Sequence, residues 1–383
     1  VSEDRQPLAD GRLRVGVVGC GVIAQVMHLP HLLELDHLFA LQAVCDISEP
    51  TARACAARFG GPAVYTSWEA MLEREASLQA VLVLTSGSHA PAAIAAAERG
   101  LHVFVEKPMC LSPEEGQQML MAAQRAGVRL MVGTMKRYDP AYERLVERLP
   151  EAGELRLIRV TTLESPFEPY VEGYPLTPPA VAPAGVLERL KAEDAERLAR
   201  ALPDADEATR FCYRWMLLDN LVHELNALRG LLGEPDAVKY AELDPKVVNL
   251  SLVFDGVDCH LSWVDLPGIA RYKQELAFYG LDARLTLTLP SPYLRGMPTE
   301  LAIEGGRAGT SHAWRTVETV SYVEAFKREL IEFHDAIDQE RPPRTDGHDG
   351  LRDVALCQAI ARCALSGRRI ERPSELEREG VVA

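Results

Sequence analysis

The apolar rhythm of the chain changes near residue 138. Between Arg12 and Gly133, short and almost unbroken apolar runs (RLRVGVVG, FALQAVCD, AVLVLT, HVFVE, RLMVGT) alternate with helical stretches such as EPTARACAARF and HAPAAIAAAERG. Strands apolar on both faces, separated by helices, predict a parallel sheet covered on both sides. Ser112-Pro113-Glu114-Glu115 is a capping box with proline at the first helical position, so a helix starts there. Beyond Tyr138 a helix, PAYERLVERL, leads into a strand near ELRLIRVTTLE. Residues 165–210 are first proline-rich and then amphipathic (VLERLKAEDAERLARAL), which reads as an inserted loop and lid. Five strands then follow in succession, DAVKYAEL, VVNLSLVF, VDCHLSWV, QELAFYG and ARLTLTL, the mark of a largely antiparallel sheet. Two helices, around YVEAFKRELIEFHDAID and DGLRDVALCQAIARCAL, close the chain.

Just before those strands, YRWMLLDNLVHELNALRGLLGEP carries Leu218, Leu221, Leu225, Leu228 and Leu232 at three- and four-residue steps, a buried helical stripe stopped by Gly233 and Pro235. Asp219 and His223, four residues apart, share one face with Asn226, and Asn220 and Glu224 lie farther round. Taken alone, that side reads as a solvated polar face.

Length adds a second domain to the picture, since 383 residues are long for one core. The formal net charge of −15 argues against a nucleic-acid groove or an anionic membrane surface as the main partner. The eight cysteines are scattered without a C-x-x-C pair, a pattern of reduced thiols in a cytoplasmic protein rather than a disulfide framework or zinc site. No apolar run is long enough to span a bilayer. The first residues, VSEDRQPLADGR, are polar and read as a frayed tail.

Two motifs carry chemistry. In VGVVGCGVIA, Gly19, Gly21 and Ala24 fit G-x-G-x-x-G/A at the end of a first strand, and Val22 and Ile23 open the helix whose N-terminus receives a pyrophosphate. Asp46 ends the second strand, where a carboxylate accepts from both ribose hydroxyls and repels a 2′-phosphate. No basic residue immediately follows it, so the expected cofactor is NAD rather than NADP. The second motif, Glu106-Lys107-Pro108, ends the fifth apolar strand, on the edge where such sheets bind ligands. A lysine there can bind a substrate oxygen and stabilise an alkoxide as a proton leaves.

Together with VGTMKRYDP, the D-x-x-x-H helix and the tail RPPRTDGHDGLRDVALCQAI, these motifs stand in the order of one family. From Leu13 to Leu365, the insert excepted, the chain resembles the glucose–fructose oxidoreductase, inositol 2-dehydrogenase and MocA group. The resemblance implies an α/β protein with a Rossmann dinucleotide-binding domain (11–138). A C-terminal α/β domain with a large, mostly antiparallel open sheet would occupy 139–383. It implies a homodimer or homotetramer through that sheet, and NAD(P)-linked oxidation or reduction of a sugar, aminosugar, nucleotide-sugar or cyclitol without a metal. Lys107 matches the family's catalytic lysine, Glu106 its cofactor-contacting neighbour, and Asp219 and His223 its aspartate and histidine. His223 would exchange the hydroxyl proton, Lys107 would bind the same oxygen, and Asp219 would hold the substrate or orient His223.

The chain departs from that pattern in places. YRWMLLD stands where glycines are frequent, so Arg214 and Trp215 crowd or shape the substrate site. LTSGSHAP lacks the frequent Thr-Pro pair; Thr85, Ser86 and His89 stay cofactor-side candidates, with His89 alternatively a helix cap. Met135 replaces a common asparagine, and Arg137 and Tyr138 are wall candidates, with a structural ion pair the alternative for Arg137. Three readings stand at this point: an NAD-dependent dehydrogenase, an NADPH-dependent keto-sugar reductase, and a non-catalytic sensor on the same fold, as in the yeast galactose-pathway repressor.

Overall fold

The computed structural model describes residues 11–177 and 183–373, so the first ten residues of the predicted frayed tail lie outside it. The chain forms two compact units, one of Val1–Gly133, Tyr174–Glu196 and Glu329–Leu351, the other of Thr134–Gly173, Arg197–Arg328 and Arg352–Ala383. The apolar runs of the first unit become β1 (Leu13–Val18), β2 (Phe39–Cys45), β4 (Ala80–Val83), β5 (His102–Glu106) and β6 (Leu130–Gly133). A short β3 (Ala63–Tyr65), which the apolar pattern does not predict, joins them. All six are parallel, in the order β3-β2-β1-β4-β5-β6. That is the doubly wound order of a dinucleotide fold, with β1 and β4 flanking the switch point. Val15, Val17, Leu82, Val103, Phe104 and Val105 have no exposure, as a sheet covered on both faces requires.

Helix starts in this unit follow capping chemistry. Ser48, Ser67 and Ser112 each accept a backbone N–H three residues on, and Pro113 and Gly127 (φ 65°) bracket the helix Pro113–Ala126. Glu115 returns its carboxylate to the N–H of Leu111 at 3.0 Å, one residue earlier than a strict box would have it. Two later stretches complete the unit. Thr345 brackets edge strand β6, accepting the Val132 N–H at 2.8 Å and donating its hydroxyl to the Val132 carbonyl at 2.7 Å. Phe333 packs edge-on against Phe104 at 5.7 Å. Within the insert, Thr177 exchanges two hydrogen bonds with the Gln25 amide, and Asp194 accepts the Ser88 N–H at 3.4 Å.

The second unit is built on β7 (Leu155–Glu164), β8 (Ala237–Leu243), β9 (Val247–Phe254), β10 (Val257–Asp265), β11 (Lys273–Gly280) and β12 (Ala283–Leu289). Three further strands go beyond the sequence pattern, β13 (Glu300–Gly306), β14 (Ala313–Thr319) and β15 (Ile370–Glu371). The nine lie in the order β14-β13-β12-β11-β7-β10-β9-β8-β15. Every pairing is antiparallel except β10 with β7, so the predicted mostly antiparallel sheet is what forms. The α/β architecture is therefore as the sequence indicates. All eight cysteines are buried and unbridged, and among the described residues no helix is long and apolar enough to cross a membrane.

Candidate active site

In the first unit the candidates gather where β1, β2, β4 and β5 end. Gly19 turns the chain out of β1 at φ +100°, and a Cβ there would stand 2.8–2.9 Å from the backbone of Leu84 and Thr85. Only glycine tolerates both conditions. Gly21 differs: a Cβ would meet no atom within 4 Å. Its requirement comes from whatever fills that cradle, against the N–H groups of the helix that begins at Val22 and Ile23. Gly19→Ala is thus expected to lower both thermal stability and NADH binding. Gly21→Ala should keep the melting temperature and weaken only NADH binding, which fluorescence titration beside thermal melts will separate.

Asp46 fastens this turn. Its Oδ2 accepts the Cys20 N–H at 2.9 Å and its Oδ1 the Ser48 N–H at 2.8 Å. Each oxygen keeps a second lone pair, enough for a ribose hydroxyl. The donor N–H groups, the open cradle and the carboxylate together fit a dinucleotide.

Thr85 is half-buried and Ser86 exposed at the end of β4. His89 is fully buried, with Nδ1 2.7 Å from the Pro108 carbonyl and Nε2 2.6 Å from that of Thr85. It makes no capping bond, which corrects the helix-cap alternative; its ring ties the β4 loop to the β5 turn. Glu106 likewise turns inward, Oε1 2.7 Å from His28 Nε2 and Oε2 accepting the Lys107 N–H at 3.0 Å. Each oxygen keeps a second lone pair, so the expected cofactor contact at Glu106 would be made alongside these protein partners. Lys107 is half-buried, and its peptide bond to Pro108 is cis.

In the second unit the opening helix is not a plain α-helix. Cys212–Leu221 is π-helical, with the Val222 N–H reaching Leu217 O, and an α-helix, Val222–Leu232, continues it. Such wide turns occur often at functional sites. Leu218, Leu221, Leu225 and Leu228 have no exposure, whereas Leu232 is half-buried. The expected wet face is corrected. Glu224 and Asn226 are 2% and 1% exposed, because buried polar partners receive them. Glu224 Oε1 accepts from Thr162 Oγ1 at 2.6 Å and from Gln274 Nε2. Asn226 donates to Asp353 Oδ2 at 2.7 Å, and Arg229 pairs with the other oxygen of Asp353.

Asp219 and His223 are the half-buried members of this face. The buried Arg214 reaches Asp219 at 3.9 Å and stacks over Trp215 at 4.3 Å, leaving that indole 41% exposed. The YRW segment thus shapes the approach to Asp219. Arg137 lies where a Cβ on Gly230 would collide with it, and donates to the Asn226 carbonyl at 3.5 Å. Tyr138 is 2% exposed, which corrects it from wall to core.

Sequence reasoning missed Glu164, Glu224, Gln274 and, in the first unit, His28. Burial, with Glu224 nearby, raises the Glu164 carboxyl above its ordinary range. A signal existed: Ile158, Val160, Thr162 and Glu164 follow the two-residue period of β7, placing a carboxylate in an inward phase.

Residues 13–134 match the family model GFO_IDH_MocA, described as an oxidoreductase family with an NAD-binding Rossmann fold. The chain is 28% identical over 372 residues to a D-xylose 1-dehydrogenase (NADP(+)) of Haloferax volcanii, covering 93% of this chain and 98% of the relative. It is 24% identical over 364 residues to the myo-inositol 2-dehydrogenase of Thermotoga maritima, covering 94% and 98%. In fold it is similar to levoglucosan dehydrogenase solved with NADH, with TM-score 0.72, 18% identity and 94% and 99% of the chains covered. With the glycine turn and the parallel sheet in place, residues 13–134 are the NAD-binding Rossmann domain of this oxidoreductase family, and the chain is similar to the xylose and inositol dehydrogenases over more than nine-tenths of its length.

Proposed function

We propose that the protein oxidises a secondary alcohol of a sugar, aminosugar, nucleotide-sugar or cyclitol, or reduces the matching ketone, using NAD. The carrying observation is Lys107 at the carboxyl end of β5, on the sheet edge where β1 ends in the glycine turn. A bound nicotinamide would supply the hydride acceptor in oxidation and, in its reduced form, the hydride donor in reduction. Lys107 holds the carbinol oxygen and lowers its pKa, and His223 takes the hydroxyl proton in oxidation and returns it in reduction. Asp219 holds the substrate or orients the imidazole, and Trp215 contributes an exposed aromatic face to the sugar. The relatives' names, a xylose and an inositol dehydrogenase, support that substrate class.

NAD rather than NADP rests on Asp46, held by two N–H groups at the ribose end of the cradle. The Haloferax relative is named for NADP, so this choice needs its own test. NADH formation followed by absorbance across a panel of sugars and cyclitols tests the activity; tight NAD binding without turnover on any of them would favour a sensor. Asp46→Ser is expected to weaken NAD and narrow its advantage over NADP. An unchanged ratio of kcat/KM would place selectivity elsewhere.

Exposed Tyr240, Val247 and Val317 on one face of the nine-stranded sheet support association through it as a homodimer or homotetramer, which sedimentation will measure. The buried, unbridged thiols support a cytoplasmic setting.

A further inference from the structure

The first unit holds a buried ionisable cluster that the proposed chemistry does not use. His28, Glu106 and Glu329 each bring one ligand-capable atom to within 4.8 Å of the others, and all three are buried. They arrive from three elements, the helix after the glycine turn, the end of β5 and the helix Ala325–Asp338. Glu106 is committed on both sides, to His28 through Oε1 and to the Lys107 N–H through Oε2. Glu329 has no exposure, and among the described residues neither of its oxygens has a hydrogen-bond partner. An ionised carboxylate there would lose its hydration without a donor in return, beside a second carboxylate.

We propose that Glu329 is a positioning residue for Lys107, an uncharged carboxylic acid that keeps the Glu106 carboxylate seated between His28 and the backbone N–H of the lysine. This rests on the reading of Lys107 as the catalytic lysine. Burial first and the Glu106 charge second push the Glu329 carboxyl well above its ordinary range, in keeping with the geometry. With Glu329 neutral, the cluster holds one negative charge and one imidazole donor facing it. A divalent metal is the competing occupant of such a donor set. Two ligands of a tetrahedral ion with bonds of about 2.0 Å stand about 3.3 Å apart. His28 Nε2 and Glu106 Oε1 are 2.7 Å apart, a hydrogen-bond distance rather than a ligand–ligand one.

Glu329→Gln keeps a neutral polar side chain of the same shape, and Glu329→Leu removes the polar group. Gln should retain kcat within about threefold, whereas Leu should lose about ten- to a hundredfold in kcat with NAD affinity kept, as a displaced lysine would. Nitrogen-15 spectra of histidine-labelled protein, with His28 assigned through His28→Gln, should show its Nε2–H signal unchanged in Gln and shifted in Leu. A Gln variant as poor as Leu, a Leu variant equal to wild type, or a stoichiometric divalent metal that Gln abolishes would each overturn the proposal. Lys107→Ala is assayed alongside: full activity there defeats the catalytic reading of the lysine, while the His28 signal still decides the state of Glu329. Melting curves of both variants come first. If Leu does not fold, Gln decides alone: kcat and the His28 signal kept support the proposal, and the loss of either overturns it.

Discussion

Lys107→Ala is expected to lower turnover by a factor on the order of a hundred to a thousand while NAD binds almost as before. The asymmetry follows from the layout of the first unit. In the proposed reading the dinucleotide is gripped by the Gly19–Ile23 turn and Asp46, whose hydrogen bonds to the Cys20 and Ser48 N–H groups do not involve the lysine side chain. In that reading the lysine meets the oxygen on which charge grows as the proton leaves, so its contribution is made in the transition state. Lys107→Arg should rescue poorly, because a planar fork does not replace a compact ammonium. The measurement is kcat and KM for the best substrate of the panel beside fluorescence titration of NADH. Near-normal turnover of Lys107→Ala would remove the lysine from the chemistry.

Asp353→Ala should cost about 3 kcal/mol of stability, toward the lower end for breaking a buried ion pair. Arg229 and Asp353 side chains are 1% and 2% exposed, so the guanidinium loses a desolvated partner. Glu234, which Arg229 also meets at 2.7 Å, still neutralises part of the charge and keeps the loss from being larger. Asn226 loses its acceptor in the same step. Replacing Arg229 and Asp353 together by Met and Leu should cost less than the single change, since no charge is then stranded. Denaturant titration of the three proteins decides this, and a single variant as stable as wild type would show that the pair carries no net weight.

Those two residues also show where the sequence falls silent. The parallel strands were legible because a sheet buried on both faces leaves unbroken apolar runs, and the glycine turn because its spacing is local. β3 was not, since three residues between turns carry no period. Glu224 and Asn226 looked wet for a related reason. Periodicity tells which side of a helix is polar, but not whether water or protein meets it. Here the answer lies at Thr162, Gln274 and Asp353, 62, 50 and 127 positions away. The inward carboxylate of Glu106 was equally hidden, because its partner His28 is 78 residues distant.

The discontinuity of the first unit has a bearing on how the protein is made. A ribosome releases β1 to β6 early, yet Thr345, which closes the edge of β6, and Phe333, which covers Phe104, are synthesised some two hundred residues later. Until they emerge, the nascent cofactor-binding sheet has an open strand edge and an uncovered aromatic patch, the features that invite chaperones and mispairing. A gene fragment ending at residue 133 would keep the nucleotide motif whole and still lack the parts that seal its sheet.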